Sequence, residues 1–355
     1  MSTSEFKRDN HFVAQSYLRR WAGADGKVEV YRLLVGHIRV PVWRRTSPRG
    51  IAKHEHLYTM LTDGRESDEM EQWLEREFET PAEEPIRRAI AGQRLSVSDW
   101  HALIRFFAAQ DARTPARFEE TFRRNEEQLP HMIESTLQRF IAAGEVAVAQ
   151  GKPLPAPDPL SDEERRFPLR VTVVPEEGGG GRIVGEALNG RAMWLWSIRR
   201  ALTHPISHLL AHRWTILRPP SGKEFLTSDN PVIRLRYTSD GDYDLKGGWG
   251  VPRTNLMLPL SPSTMLFTEI GSALPSRNSR MPQKMYDLVC KVTIENAYRY
   301  VIGTGPDDRV ATLRPRLIDE AQLRLEKARW AEWHAEHMAA ELEIHTPASN
   351  GLPSS

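Results

Sequence analysis

Five apolar runs crowd residues 213–270: RWTILR (213–218), EFLTSDN (224–230), PVIRLRY (231–237), NLMLPL (255–260) and TMLFTEI (264–270). Each is short, rich in Ile, Leu, Val, Phe or Thr, and bounded by Pro, Gly, Ser or Asn, the pattern of buried strands punctuated by turns. Upstream, LRVTVVP (169–175) and RIVGEAL (182–188) flank the glycines 178–181, which predicts a hairpin with a glycine tip. Trp194, Trp196, Ile198 and Leu202 predict a helix between that hairpin and the strands. Downstream come a helix over 286–298, a short strand and an amphipathic helix over 318–343.

The first half reads differently. KVEVYRLL (27–34) and VGHIRVPVW (35–43) alternate around a glycine and predict a small hairpin, and IAKHEHLYTM (51–60) predicts a further strand. Helical spacing then takes over. Met70, Trp73, Leu74 and Phe78 share one face of a helix capped by Ser67, and a second helix spans 85–91. Leu103, Ile104, Phe107 and Ala108 line a longer helix capped by Ser98 or Asp99, and Pro115 predicts a kink or break over 111–114 before helix resumes to about residue 143. The fold class is therefore α+β: a largely helical half over 1–150 with a small hairpin, and a more sheet-rich half over 151–343. The two are expected to pack as one body across a proline-rich linker at 151–159, with a disordered tail over 344–355.

With 355 residues, 40% of them hydrophobic and 27% charged, the chain can bury a sizeable core. A formal charge of +1 gives no indication of a nucleic-acid partner, although local patches keep one open. A single cysteine, Cys290, excludes a disulfide framework and a multi-cysteine zinc site. No run reaches the roughly 20 apolar residues that cross a bilayer, and the opening residues lack a secretory apolar core, so no membrane partner and a cytoplasmic address are expected. The basic stretch 19–53 carries Lys27, Arg32, Arg39, Arg44, Arg45 and Arg49, and the acidic stretch 63–84 follows it. The simplest expectation is that the two neutralise each other.

The segment His11-Phe-Val-Ala-Gln-Ser-Tyr-Leu-Arg-Arg-Trp resembles the opening motif of domain-of-unknown-function family 4238: His, aromatic, Val, Pro, Gln, two residues, Leu, Arg, aromatic. Ala14 stands where that family has proline. The resemblance continues through IAKHEHLY, the acidic helix with Glu71 and Glu77, AAQDARTPAR (108–117), FLTSDNPVI (225–233), LPLSP (258–262) and Asn296. It implies no reaction or cofactor. It points instead to a set of polar residues.

On a helix starting near Ala14, Gln15 and Arg19 lie one turn apart with His11 just outside its start; Gln110, Arg113 and Arg117 form a second polar row. Two such rows could hold a phosphate or carboxylate, since guanidinium groups bind these bidentately, or the arginines could pair internally with Glu71, Glu77 or Glu119. Ser228, Asp229 and Asn230 sit between strands as either turn formers or presented polar groups, and an Asp229 carboxylate near His11 would supply an acid/base pair. His204, His208 and His212 have helical spacing, but Pro205 interrupts them and no carboxylate completes a metal motif. P-loop and G-x-S-x-G motifs are absent. The reading is a hydrolase or nuclease-like enzyme acting on a phosphate-bearing substrate. Its catalytic residues would be His11 and Asp229, and its substrate-binding residues Gln15, Arg19, Gln110, Arg113, Arg117, Ser228 and Asn230. The alternative is a non-catalytic binding or interaction protein of a bacterial defence or stress module.

Overall fold

The computed structural model describes residues 6–62, 64–152, 159, 161–176, 181–239 and 242–345. It opens with β1 (Asp9–His11), a single turn α1 (Gln15–Leu18) that tightens into a 3-10 turn at Arg19–Trp21, then β2 (Val28–Arg32), β3 (Leu34–Val35) and β4 (Trp43–Thr46). β2 and β4 pair antiparallel, Val28 opposite Thr46 and Tyr31 opposite Trp43. The hairpin is wider than a turn at Gly36 because Leu34 and Val35 leave it to pair with residues 317 and 318. The run 51–60 divides into β5 (Lys53–Glu55), which pairs with β1, and β6 (Met60–Thr62), which pairs with β7 (Arg65–Ser67). His56 makes the break: its φ of 53° lies in the left-handed region, which no strand accommodates.

Helix α2 (Glu69–Leu74) passes through a π-helical turn at Glu75–Glu79 and a 3-10 turn at Thr80–Ala82 into α3 (Glu83–Ile90). Ser96, rather than Ser98 or Asp99, caps α4 (Val97–Ala112); its hydroxyl accepts from Asp99 N while the Asp99 carboxylate accepts from Ser96 N. The expected break before Pro115 is present. Pro115 begins α5 (Pro115–Ala149), where a missing N–H costs nothing, and Thr114 caps it. Beyond α6 (Asp162–Arg165), β8 (Leu169–Pro175) and β9 (Gly181–Ala187) form the second hairpin. Its glycine tip at 178–180 and most of the proline-rich linker lie outside the described residues, as does the tail from 346 onward.

The remaining elements are α7 (Arg191–Thr203), α8 (Ile206–Ala211), β10 (Thr215–Arg218), β11 (Thr227–Ser228), β12 (Ile233–Tyr237), β13 (Tyr243–Asp244), β14 (Thr254–Ser261), β15 (Thr264–Glu269), β16 (Ser279–Arg280), α9 (Gln283–Asn296), β17 (Tyr300–Gly303), α10 (Asp308–Leu313), β18 (Leu317–Ile318) and α11 (Glu320–His345). Four of the five apolar runs become β10, β12, β14 and β15 of a six-stranded sheet ordered β13-β12-β14-β15-β10-β16. Every residue of β14 is buried, which explains why NLMLPL reads as an unbroken apolar run. The fifth run supplies β11 to a four-stranded sheet ordered β11-β17-β2-β4. That sheet takes strands from both ends of the chain, and one apolar core runs from Phe12 and Trp21 through Phe106, Phe107 and Trp194 to Trp333. Both helix and sheet are therefore integral, as an α+β fold requires. None of the described helices is long and apolar enough to cross a membrane.

Candidate functional site

Tyr17, Leu18 and Trp21 are buried, so their packing fixes the rotation of α1 and turns Gln15 and Arg19 outward. These two line a cleft of about 480 Å³ with Ala22, Gly23, Gly26, Ser47 and Arg49. Hydrogen bonds order the polar row. Arg19 Nη2 donates to Gln15 Oε1 at 2.8 Å, and Gln15 Nε2 lies 3.3 Å from His11 Nε2. Arginine is only a donor, so it commits the glutamine oxygen and leaves the amide N–H to donate to His11. In the tautomer with the ring proton on Nδ1, the Nε2 lone pair accepts from that amide. Burial lowers the pKa of His11, helped by the cations Lys53 and Arg113. On taking a proton, Nε2 would find the Arg49 carbonyl 3.4 Å away.

The cleft is cationic for a reason that corrects the expected neutralisation. Among the described residues no ion pair joins the basic stretch 19–53 to the acidic stretch that follows it. Arg45 pairs with Asp25 and Glu29, and Lys53 with Asp9, whereas the acids use Lys7, Arg87, Arg88, Arg105, Arg113, Arg166 and Arg199. Arg19 and Arg49 are left without a carboxylate partner among the described residues. The 3-10 turn Pro48–Gly50, capped by the Ser47 hydroxyl, presents Arg49 opposite Arg19.

The second row is inside the molecule. Gln110 and Arg113 are fully buried, and with its amide turned oxygen toward the guanidinium Gln110 accepts from Arg113 Nε and Nη2 at 3.2 and 3.3 Å. Arg113 also donates to Phe12 O at 3.2 Å and pairs with Glu79, while its own carbonyl accepts from Tyr58 OH at 2.6 Å. Arg117 pairs with Asp111 and Glu120; Arg234 joins Glu120 at 2.8 Å, and Trp249 Nε1 donates to Asp111 at 2.7 Å. Of the partners expected from sequence, only Glu71 comes near Arg113. Its Oε2 is buried with no hydrogen-bond partner among the described residues, and burial pushes its pKa up to about 7. It stands beside the π-helical turn of the acidic helix.

Asp229 is also fully buried. Its carboxylate accepts from Tyr298 N at 2.8 Å and Arg299 N at 2.7 Å, pinning the entry to β17, while burial pushes its pKa up to about 6 against those backbone bonds. No hydrogen bond or ion pair joins it to His11 among the described residues. Ser228 Oγ accepts from Asn230 N, Asn230 Nδ2 donates to Asn296 O, and Asn296 Nδ2 answers to Asn230 O at 2.8 Å. The structure thus brings Gln15 and Arg19 to an open cleft, with His11 next to Gln15 but not lining it, and places Gln110, Arg113, Arg117, Ser228, Asp229 and Asn230 in the buried framework.

The segments that resemble the family's motifs meet in space. Tyr17 OH and Thr227 Oγ1 are 2.6 Å apart, Trp21 Nε1 donates to Phe225 O at 2.9 Å, and Thr114 Oγ1 donates to Asn230 Oδ1 at 3.1 Å. A family described as "Protein of unknown function (DUF4238)" matches residues 9–307. The chain belongs to the DUF4238 family. No curated protein and no solved structure matches it. The DUF4238 match ends before α10, so the helix α11, which buries Trp333 and Glu341 against the body, lies past the matched residues.

Sequence reasoning missed Ser47 and Arg49, because Arg49 was counted in a stretch expected to be neutralised; the turn signal Ser-Pro-Arg-Gly was its trace. It also missed that His56, Glu66 and His334 converge, with candidate ligand atoms within 4.8 Å of one another. The geometry there is that of a satisfied network. Arg191 Nη1 donates to His334 Nδ1 at 3.2 Å, so His334 Nε2 carries the proton toward Glu66 at 2.9 Å, and His334 keeps no lone pair for a cation. The His56 and His334 rings stack at 3.7 Å with 15° between planes, which keeps their in-plane lone pairs from converging. His204, His208 and His212 do not share a helix: α7 ends at Thr203, Pro205 precedes α8, and His212 Nε2 meets Trp249 O at 2.7 Å.

Proposed function

We propose that the cleft beside α1 binds a phosphate-bearing ligand and that the protein is a hydrolase or nuclease-like enzyme acting on it. One observation carries this reading: two arginines without carboxylate partners among the described residues, Arg19 and Arg49, line a cleft of about 480 Å³ with Gln15, which contacts His11. Guanidinium groups on both sides suit a phosphate's equatorial oxygens, and the Ser47 hydroxyl adds a neutral donor. His11 is held as a neutral base by burial and by the Arg19–Gln15 relay. In this scheme water adds to phosphorus and gives its proton to His11 Nε2, displacing the 3.3 Å contact with Gln15, and the P–O bond to the leaving group breaks. The leaving oxygen then recovers that proton. A cytoplasmic setting belongs to the same reading, since the one cysteine, Cys290, is buried and burial pushes its thiol up, away from thiolate chemistry.

The second reading, a non-catalytic binding protein, is favoured by the burial of Asp229, which leaves His11 without the carboxylate partner expected from sequence. Hydrolysis of p-nitrophenyl phosphate and of its bis-ester separates the two. The enzyme reading expects turnover that falls roughly 10²- to 10⁴-fold in His11→Ala with phosphate binding retained. Phosphate binding without turnover would leave the binding protein.

A further inference from the structure

A second cationic surface lies on the outer edge of the six-stranded sheet, built from residues the cleft does not use. β16 closes that edge and runs parallel to β10, with Arg218 in register with Arg280. Like charges set side by side across two strands repel, and proteins ordinarily place a carboxylate between them. Here none is present: no ion pair joins Arg94, Arg218, Arg277 or Arg280 to an acid among the described residues. Arg218 is fixed by neutral acceptors instead. Its Nη1 donates to Thr264 Oγ1 at 2.6 Å, and its Nη2 donates to Ala89 O at 2.8 Å and Asn278 Oδ1 at 3.2 Å.

These contacts gather three separate segments. Asn278, at a positive φ of 63°, donates to Gly92 O, which brings the turn after α3, with Arg94, against the loop that carries Arg277. Arg280 Nη1 donates to Pro219 O at 3.1 Å. Gly92 itself has a φ of +70°, the left-handed conformation that favours glycine, and it lies beside the Arg218 guanidinium. Arg94, Arg277 and Arg280 are exposed, as is Lys284 at the start of α9. A near-neutral chain has thus placed a group of uncompensated arginines along one sheet edge.

We propose that this edge docks the sugar-phosphate backbone of a nucleic acid. A single phosphate would engage one or two of the arginines, whereas a polyanion with regularly repeated charge engages all of them and relieves the Arg218–Arg280 repulsion. The residues that define the edge are Arg94, Arg218, Arg277, Arg280 and Lys284, all cations, which suits a phosphate backbone. It is independent of the cleft reading and stands or falls on different residues.

The test is fluorescence anisotropy with a labelled single strand of about 20 nucleotides and the matching duplex, between about 50 and about 200 mM salt. The wild-type chain is expected to bind, with affinity falling as salt rises. The triple variant Arg94→Ala/Arg277→Ala/Arg280→Ala is expected to bind at least ~10-fold more weakly, with the slope of log affinity against log salt reduced by about 2 and an unchanged melting temperature. Arg277→Ala alone, at an exposed loop position, should show part of the loss. In an Arg19→Gln/Arg49→Gln background, which removes the cleft cations, the triple variant should cost the same fold-loss, so failure here and failure of the cleft are told apart. Absence of wild-type binding, equal binding by the triple variant, or loss confined to the cleft variant would each overturn the proposal.

Discussion

The two polar rows use the same residue types to opposite ends. Gln110 and Arg113 are fully buried, and every contact the arginine makes is with the protein: Phe12 O, Glu79 and the Gln110 amide. Gln15 touches both Arg19 and His11, and Gln15 and Arg19 face an open cleft. The difference comes from what lies beneath each row. Tyr17 and Trp21 sink into the core and leave the near side of α1 outside, whereas α4 is buried along most of its circumference. A glutamine–arginine row is therefore no site by itself, and the apolar residues between its members decide which way it points.

The largest effect is expected inside. Arg113→Gln strips Glu79 of its partner and should destabilise the fold by roughly 3–5 kcal/mol in urea denaturation, because an unpaired buried charge costs more than the pair returns. A loss below about 1 kcal/mol would break the contrast between the rows. Glu71 sharpens it in the other direction. Its folded pKa of about 7 lies above the ordinary 4.5, so its stability contribution is complete below pH 4.5 and is lost as pH rises toward 7. Glu71→Gln should therefore stabilise the protein at pH 8, by at most ~3 kcal/mol, and change little at pH 4.

Histidines repeat the contrast on a smaller scale. His54 is sandwiched between Phe12 and Trp330, stacking on the tryptophan at 3.7 Å, and burial lowers its pKa to about 4. The unfolded chain takes the proton first, so stability is complete above the ordinary 6.5 and drains as pH falls toward 4. His54→Phe should make acid unfolding over that window shallower by ~1–3 kcal/mol. An unchanged acid limb would show that His54 is solvated. The smallest effect is expected at the cleft, where Arg49→Gln should leave stability within about 0.5 kcal/mol of wild type.

Much of the fold was legible in the sequence because apolar periodicity reports burial directly. The runs RWTILR, PVIRLRY, NLMLPL and TMLFTEI all became strands of one sheet. Positions governed by backbone conformation or by distant partners were harder to read. Nothing in IAKHEHLYTM announces that His56 takes a left-handed φ, and nothing near Leu34 announces a partner at Leu317. The candidate site was half legible. His11, Gln15 and Arg19 follow from the register of α1, but Arg49 becomes visible only once the acidic stretch is seen to pair elsewhere, and Asp229 reads as a presented group until its carboxylate is found holding Tyr298 N and Arg299 N.

The central claim, that the α1 row meets a ligand and the α4 row holds the fold, is tested most directly by calorimetric titration of inorganic phosphate into wild type, Arg19→Gln/Arg49→Gln and Arg113→Gln, each paired with a thermal melt. The expected result is at least a ~10-fold loss of phosphate affinity with an unchanged melt for the cleft variant, and a strongly lowered melt for Arg113→Gln with affinity retained in the molecules still folded. Unchanged phosphate binding in Arg19→Gln/Arg49→Gln, or loss of binding in Arg113→Gln without loss of stability, would contradict it.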